Sequence, residues 1–284
     1  MMNNTIGRLH RTWLLAPVCL LAWVAVPSGS VVTADDLCGA TILTSIKLDH
    51  DLTCVGPGLI VGADGIKVNL NGHTITGSST AVGSGFGISV IGRRHVSITG
   101  GTVTSFEAGV RVMNSTDIVI KDNEFRANND GVDLAAGSAG NTVKENEFVN
   151  NLARGIMLRG AGPDNLFPVT DNLIKENSFT GNRVGVLLFA GVDNTVKENR
   201  FTSHSLAGIR VNVPATGNLV IENTIEFNPA GIEFLVATMG PMAPAGNTFV
   251  ENRIANNVCG LKGPSDGNAF DQNVFEANAV DSCQ

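Results

Sequence analysis

Apolar and polar residues alternate in short runs along most of this chain, and the runs return at a nearly fixed interval. Between Asn123 and Asn278 one phrase occurs seven times: Asn, any residue, Phe or Ile, any two residues, Asn. The copies are Asn123-Phe125-Asn128, Asn146-Phe148-Asn151, Asn177-Phe179-Asn182, Asn199-Phe201-His204, Asn223-Ile225-Asn228, Asn252-Ile254-Asn257 and Asn273-Phe275-Asn278, with His204 as the single departure. A Gly followed by an apolar residue recurs at Gly87, Gly109, Gly131, Gly155, Gly185, Gly208, Gly231 and Gly260, at intervals of 22 to 30 residues. A third file holds Asn141, Asn172, Asn194, Asn218, Asn247 and Asn268. Each repeat thus reads Gly-Ile-x-Leu, a loop, then Asn-Thr-Val-x-x-Asn-x-Phe-x-x-Asn. Period-two runs bounded by Gly and Asn are strands and turns, and no segment beyond the first 30 residues carries a helical stripe.

A repeat of about 22 residues with three short strands predicts an all-β solenoid, a single-stranded right-handed parallel β-helix of about ten coils. Coils stacked at roughly 4.8 Å give a rod on the order of 50 Å long. Like then sits on like. Phe125, Phe148, Phe179 and Phe201 form one buried file, continued by Ile225, Ile254 and Phe275. The Asn files are expected at the corners, themselves in left-handed backbone, with each amide bonded to those one coil up and one coil down. A stack of this kind needs a cap at each end.

The first 34 residues read as an export signal. Arg8 and Arg11 precede the apolar stretch Trp13 to Val26, and Val32-Thr33-Ala34 offers small residues for cleavage. The stretch is short for a membrane span and carries Pro17. The expected organisation is a signal peptide at 1–34, an N-terminal cap and first coil at 35–58, and β-helix with a C-terminal cap over 59–284. Cleavage removes two Arg and no acid, taking the formal net charge from −7 to −9. An acidic chain without a basic cluster excludes nucleic acid as a natural partner and offers no hold on anionic membranes. Cys38, Cys54, Cys259 and Cys283 remain, an even number in an exported chain, either secreted or periplasmic. Pairing Cys38 with Cys54 and Cys259 with Cys283 puts one bridge at each end of the rod, where caps are needed; four cysteines also permit two other pairings.

The stretches Cys38-Gly39, Asp51-Leu52-Thr53-Cys54 and Val68-Asn69-Leu70-Asn71-Gly72-His73-Thr74-Ile75-Thr76-Gly77 resemble the opening of exported right-handed parallel β-helix proteins. The later coils resemble the periplasmic carbohydrate-binding and sugar-hydrolase superfamily, which includes pectate-lyase-like enzymes and the periplasmic copper-accessory proteins of nitrous oxide reductase. The resemblance covers nearly the whole mature chain and implies the fold; activity does not follow from fold. The Asn-Thr-Asp, paired Asp, Gly-His-Gly and Arg-Ile-Lys motifs of polygalacturonases are missing from the coils. The Tyr used by alginate epimerases and related lyases is missing too, because the chain has no Tyr. Copper handling favours clustered Met or His, and the Met residues here are scattered. Both Trp residues, Trp13 and Trp23, fall in the signal, so the mature chain lacks the rings that commonly stack on sugars.

The outward position of Gly-Ile-x-Leu holds Ser89, Arg111, Asp133, Met157, Leu187, Arg210, Glu233 and Lys262 in coil order. With the residues flanking that position, Arg111, Asp130, Asp133, Arg154 and Arg159 fall together on three coils. Arg can neutralise a uronate carboxylate while a base removes the adjacent proton, so Arg111, Asp133 and Arg154 are the candidate catalytic residues and Asp130 and Arg159 candidate substrate contacts. The competing reading is a ladder of surface ion pairs worth about 0–1 kcal/mol each. Two long inserts, Gly160 to Asp171 and Ala237 to Gly246, occupy one corner roughly 14 Å apart. They are placed to wall a groove floored by Leu187, Phe189, Arg210 and Asn212, with Glu233 beside it. Asp122, Glu124, Asn128, Asn129 and Asp130 are a candidate calcium set, although a solvated corner without cofactor or metal is the expectation. Alternation puts His50 on the face opposite Asp49 and Asp51; His73 reads as a corner histidine, and His204 as a substitute hydrogen-bonding group in the Asn file. Two functions remain in view: a protein that binds or processes a polysaccharide, with lyase or epimerase chemistry on an acidic glycan, or a non-catalytic scaffold presenting loops to a partner.

Overall fold

A computed structural model describes residues 37–161, 167–236 and 243–284. The expected signal segment and the inner parts of both inserts, 162–166 and 237–242, lie outside the described residues. The chain divides into two compact units, Met1–Val32 and Thr33–Gln284, and the second carries every described residue.

That unit is a right-handed parallel β-helix. Three strands per turn fall into three long sheets, of 11, 10 and 10 strands. The first sheet is built from the Gly-Ile-x-Leu segments, such as Ala108–Met113, Asp130–Ala135 and Arg154–Arg159. The second takes the Asn-Thr-Val segments, such as Thr142–Lys144, and the third the Phe segments, such as Glu147–Val149. Each pairing within these sheets is parallel and joins one coil to the next; a short extra pair joins Val169–Thr170, at the end of the first insert, to Gly191–Val192.

The register is the one the repeats imply: Phe125 pairs with Phe148, Phe148 with Phe179, and Phe179 with Phe201. Their rings stack with centroids 5.2, 4.7 and 4.6 Å apart, and all four are wholly buried. Ile225 and Ile254 continue the file, also buried. Each such side chain withdraws enough apolar surface to contribute about 1.5–3 kcal/mol. The glycine heading each first-sheet strand is fixed by this packing. A Cβ on Gly155 would sit 2.5 Å from the Phe179 ring and 2.7 Å from the Gly185 carbonyl.

The corners hold three files of buried asparagines. Within a file the Asn123 Nδ2 donates to Asn146 Oδ1 (3.1 Å), and Asn146 Oδ1 also accepts the Asn123 backbone N–H (3.0 Å). The same exchange repeats coil after coil, so the amides close backbone groups that the turns would otherwise leave open. One expectation needs correcting. The left-handed residue at each corner is the one before the ladder Asn, as in Glu145 (φ 55°), Glu176 (56°), Glu198 (56°) and Glu222 (57°). Bending there keeps the Asn extended, with its amide turned into the stack. Left-handed backbone at a non-Gly residue costs roughly 1–2 kcal/mol, and Lys–Glu pairs lie on these corners: Lys121–Glu145 at 3.1 Å and Lys197–Glu222 at 3.1 Å.

Both proposed bridges form, Cys38–Cys54 and Cys259–Cys283. They tie the first turns and the last, which are the places where a stack lacks a neighbour to cover it.

Candidate functional site

The outer face of the first sheet brings the sequence-predicted charges together. Parallel register sets Arg111 beside Asp133 and Asp133 beside Met157, while Asp130 faces Arg154 and Ala135 faces Arg159. Asp130 and Asp133 lie outward, yet they are only 5% and 3% exposed. The cause is a canopy of guanidinium groups. Arg154 grips Asp130 with both arms, Nε to Oδ1 at 2.6 Å and Nη2 to Oδ2 at 2.8 Å. Arg159 holds Asp133 in the same way, at 3.1 and 2.9 Å. Arg111 approaches Asp133 Oδ2 at 3.4 Å and lies 4.6 Å over the Phe86 ring, a cation–π contact. These groups border a concavity of about 180 Å³ whose walls include Glu107, Asp130, Asp133, Arg154, Arg159 and Met157.

Burial governs the acids. It pushes the Asp133 carboxyl up to about 7, with Arg111 and Arg154 pulling it down and Asp130 and Glu107 pushing it further up. Asp130 is raised too, by burial first, against the hydrogen bonds from Arg154. The site therefore holds a carboxylic acid near neutrality beneath two cations.

The remaining predicted residues sit further along the same face. Arg210 Nε lies 2.8 Å from Glu233, and Lys262 Nζ 3.0 Å from the other oxygen of Glu233, which is 3% exposed. Leu187 lies between the two charged clusters and is buried; Phe189 is 40% exposed and in register with Asn212. Leu187 pairs in register with Arg210 and Phe189 with Asn212, whereas the inner residues of the two inserts expected to wall them lie outside the described residues. Sequence reasoning missed two contributors, Glu107 and Phe86, which precede the outward file in their coils. It also missed a fourth covered carboxylate, on another face. Glu226, 6% exposed, is held by Arg200 and by Arg253 (3.1 Å) on the third sheet. Tracing the outward file of the third sheet as well as the first would have found it.

The calcium set does not converge. Asn128 is a ladder residue bonded to Asn151, and Asp130 is taken by Arg154. His50 contacts Asp49 at 2.5 Å, against the expected opposite face, because residues 49–51 turn a corner and strand alternation does not apply. His73 bonds Asp51 at 3.1 Å, as a corner histidine would.

Two matches to a family described as periplasmic copper-binding protein (NosD) cover residues 45–205 and 165–282. The chain belongs to that family. No curated protein matches the sequence. Similar solved structures include an alginate lyase from Paenibacillus sp. str. FPU-7, 13% identical, with a TM-score of 0.57 over 81% of this chain and 90% of that one. The surface protein and adhesin PfbA of Streptococcus pneumoniae is 13% identical, with a TM-score of 0.61 over 85% and 83%. A hyperthermoactive exopolygalacturonase from Thermotoga maritima is 11% identical, with a TM-score of 0.59 over 84% and 77%. At these identities the likeness is one of fold. The family description and the two disulfides agree with an exported protein.

The described residues do not fit copper. Cys38, Cys54, Cys259 and Cys283 are all in disulfides, His50, His73 and His95 each face a separate Asp, and no three His, Cys, Asp or Glu side chains are grouped to hold a metal among the described residues. Soft or imidazole-rich ligand sets are what copper requires.

Proposed function

We propose that this protein is a periplasmic β-helix that binds an acidic polysaccharide on the outer face of its first sheet. One observation carries the reading: Arg111 and Arg159 converge on Asp133, an acid held near neutrality by burial. In the free protein Asp133 takes the place a ligand carboxylate would take. When Asp133 is protonated it becomes a poor partner, and the Arg159 fork is free for a planar carboxylate, which it matches with two parallel hydrogen bonds. A uronate supplies that group. The neighbouring Phe189, 40% exposed, gives apolar surface for the sugar ring. The alginate lyase and the exopolygalacturonase among similar structures, named for polysaccharide substrates, support the same class of ligand.

The raised Asp133 also favours a second reading, lyase or epimerase chemistry. Asp133 would then take the proton next to the uronate carboxylate while Arg111 and Arg154 stabilise the charge that develops. The bidentate hold of Arg159 on that carboxylate speaks for binding over catalysis, since a base must reach its proton.

A panel of alginate, pectate and neutral glucan separates these readings. Binding predicts a rise in melting temperature with the uronate polymers alone. Catalysis adds the ultraviolet absorbance of unsaturated products, or epimerised residues. No shift and no product with any acidic polymer would remove both.

A further inference from the structure

One loop beside the site stands outside the coil repeat. Between the strands Thr74–Gly77 and Phe86–Ile91 the chain spends residues 78–85 on a corner that residues 105–107 turn one coil later. The loop is braced by its own hydroxyls. The Ala81 N–H donates to Ser79 Oγ at 3.1 Å, and the Ser84 hydroxyl lies 2.8 Å from the Ser79 carbonyl and 2.6 Å from that of Ala81. Its tip is also tied to the next coil, where Glu107 Oε2 accepts the Gly83 N–H at 2.6 Å. The Glu107 N–H adds a second tie, donating to the Gly85 carbonyl at 3.1 Å.

These bonds hold Val82, 87% exposed, on the rim of the concavity that Asp130, Asp133, Arg154 and Arg159 line. A lone exposed valine is ordinary on a protein surface. This one is tethered to a carboxylate of the site itself, since Glu107 lines the same concavity and lies 4.0 Å from Arg111. On the downstream side Phe189, 40% exposed, stands in register with Arg159. Apolar side chains thus flank the charges on two sides, in a chain with neither Trp nor Tyr beyond residue 34. Ligand sites combine apolar surface with a few placed polar groups. A sugar ring, with C–H groups on its faces and polar groups round its edge, suits that combination.

We propose that the loop over residues 78–85 belongs to the glycan site, with Val82 packing on the face of the bound uronate and Glu107 positioning the loop. The inference rests on the reading of the Arg159 fork as a carboxylate holder, and it adds the contact that distinguishes a uronate ring from a bare carboxylate. Glu107 serves both parts: one oxygen fixes the loop tip and the other faces Arg111. Binding residues on a braced loop beside a rigid sheet are the usual arrangement of a recognition site.

The exported chain has no Trp of its own beyond residue 34, so Val82→Trp reports on the loop by fluorescence. An alginate oligomer should shift its emission and saturate at the concentration that calorimetry gives for binding. Val258→Trp, exposed at a distant corner, should not respond. Val82→Ser should weaken binding about tenfold with the melting temperature unchanged. Glu107→Ala should weaken it similarly by releasing the loop, and Glu107→Gln, which keeps an acceptor for the Gly83 N–H, should retain wild-type affinity. If wild type binds the oligomer but Val82→Ser binds as tightly, or Val82→Trp binds it without an emission response, this inference falls and the Arg159 reading stands. Equal losses in Glu107→Gln and Glu107→Ala would overturn the positioning role. No binding by wild type would remove the Arg159 reading and this inference together.

Discussion

His204 shows what one ladder position does. It stands where every other coil of its file has Asn, is 3% exposed, and donates from Nδ1 to the Asn182 carbonyl at 3.2 Å while its Nε2 is buried without a partner. Burial pushes its pKa down to about 4 against the pull of that bond. A histidine that is harder to protonate folded than unfolded loses stability as pH falls from about 6.5 to about 4. His204→Asn restores the amide and the acceptor for its neighbours, so it should raise stability by about 1 kcal/mol at neutral pH. It should also flatten the loss between those pH values, as chemical denaturation across the range would show. Asp133 gives the opposite slope. Its carboxyl is raised to about 7 by burial, so the stability it contributes is present below its unfolded value near 3.8 and is lost as pH rises through 7. Asp133→Asn removes a partner of two Arg and destabilises, but its deficit should shrink from pH 4 to pH 8. A deficit that grew with pH would mean that the Arg forks outweigh burial. The pattern of residues named both positions; their shifted acidity was not legible, because it depends on how completely groups from neighbouring coils close over each side chain.

At the scale of strands, the files are the unit of stability. Phe148 is stacked between Phe125 and Phe179 with no exposure, and the Gly131 backbone packs on its ring. Phe148→Ala should cost about 3–5 kcal/mol, because neighbouring coils locked by their ladders cannot collapse into the gap. Phe189→Ala, on the half-exposed outer face, should cost less than about 1 kcal/mol; equal losses in urea melts would contradict the assignment of inner and outer faces. The sequence revealed this register almost completely, since every coil repeats the same spacing and a slip of one residue would turn the file inside out. It was less informative at the corners. The left-handed bend falls one residue earlier than expected, on Glu145, Glu176, Glu198 and Glu222, ahead of the ladder Asn. Nor did period two hold at residues 49–51, where the chain turns and His50 meets Asp49.

The coiled body as a whole is a set of nearest-neighbour contacts between turns, so its ends are its weakest points. Cys38–Cys54 and Cys259–Cys283 close segments with sequence separations of 16 and 24. Each should contribute about 3 kcal/mol. Reduction should therefore release the terminal turns before the Phe148–Phe201 centre, with hydrogen exchange accelerating first at residues near Cys54 and Cys259; uniform acceleration would contradict this. Along the stack, two of the first sheet's covered carboxylates, Asp133 and Glu233, each lie under two cations, with Leu187 between them. The fold and the gathering of Arg111, Asp130, Asp133, Arg154 and Arg159 on one face were readable from columns of residues, whereas a ligand was not, because outward files are free of the packing that fixes inward ones. The account rests on the Arg forks over Asp133 receiving a carboxylate. Calorimetric titration of an alginate oligomer at pH 6 and pH 8 tests this most directly, on the wild type and on the paired variant Asp133→Asn with Arg159→Gln. The account predicts tighter binding by wild type at pH 6, where Asp133 holds its proton, and loss of at least tenfold in the paired variant at both pH values. Equal affinity at the two pH values, or binding that survives the loss of Arg159, would contradict it.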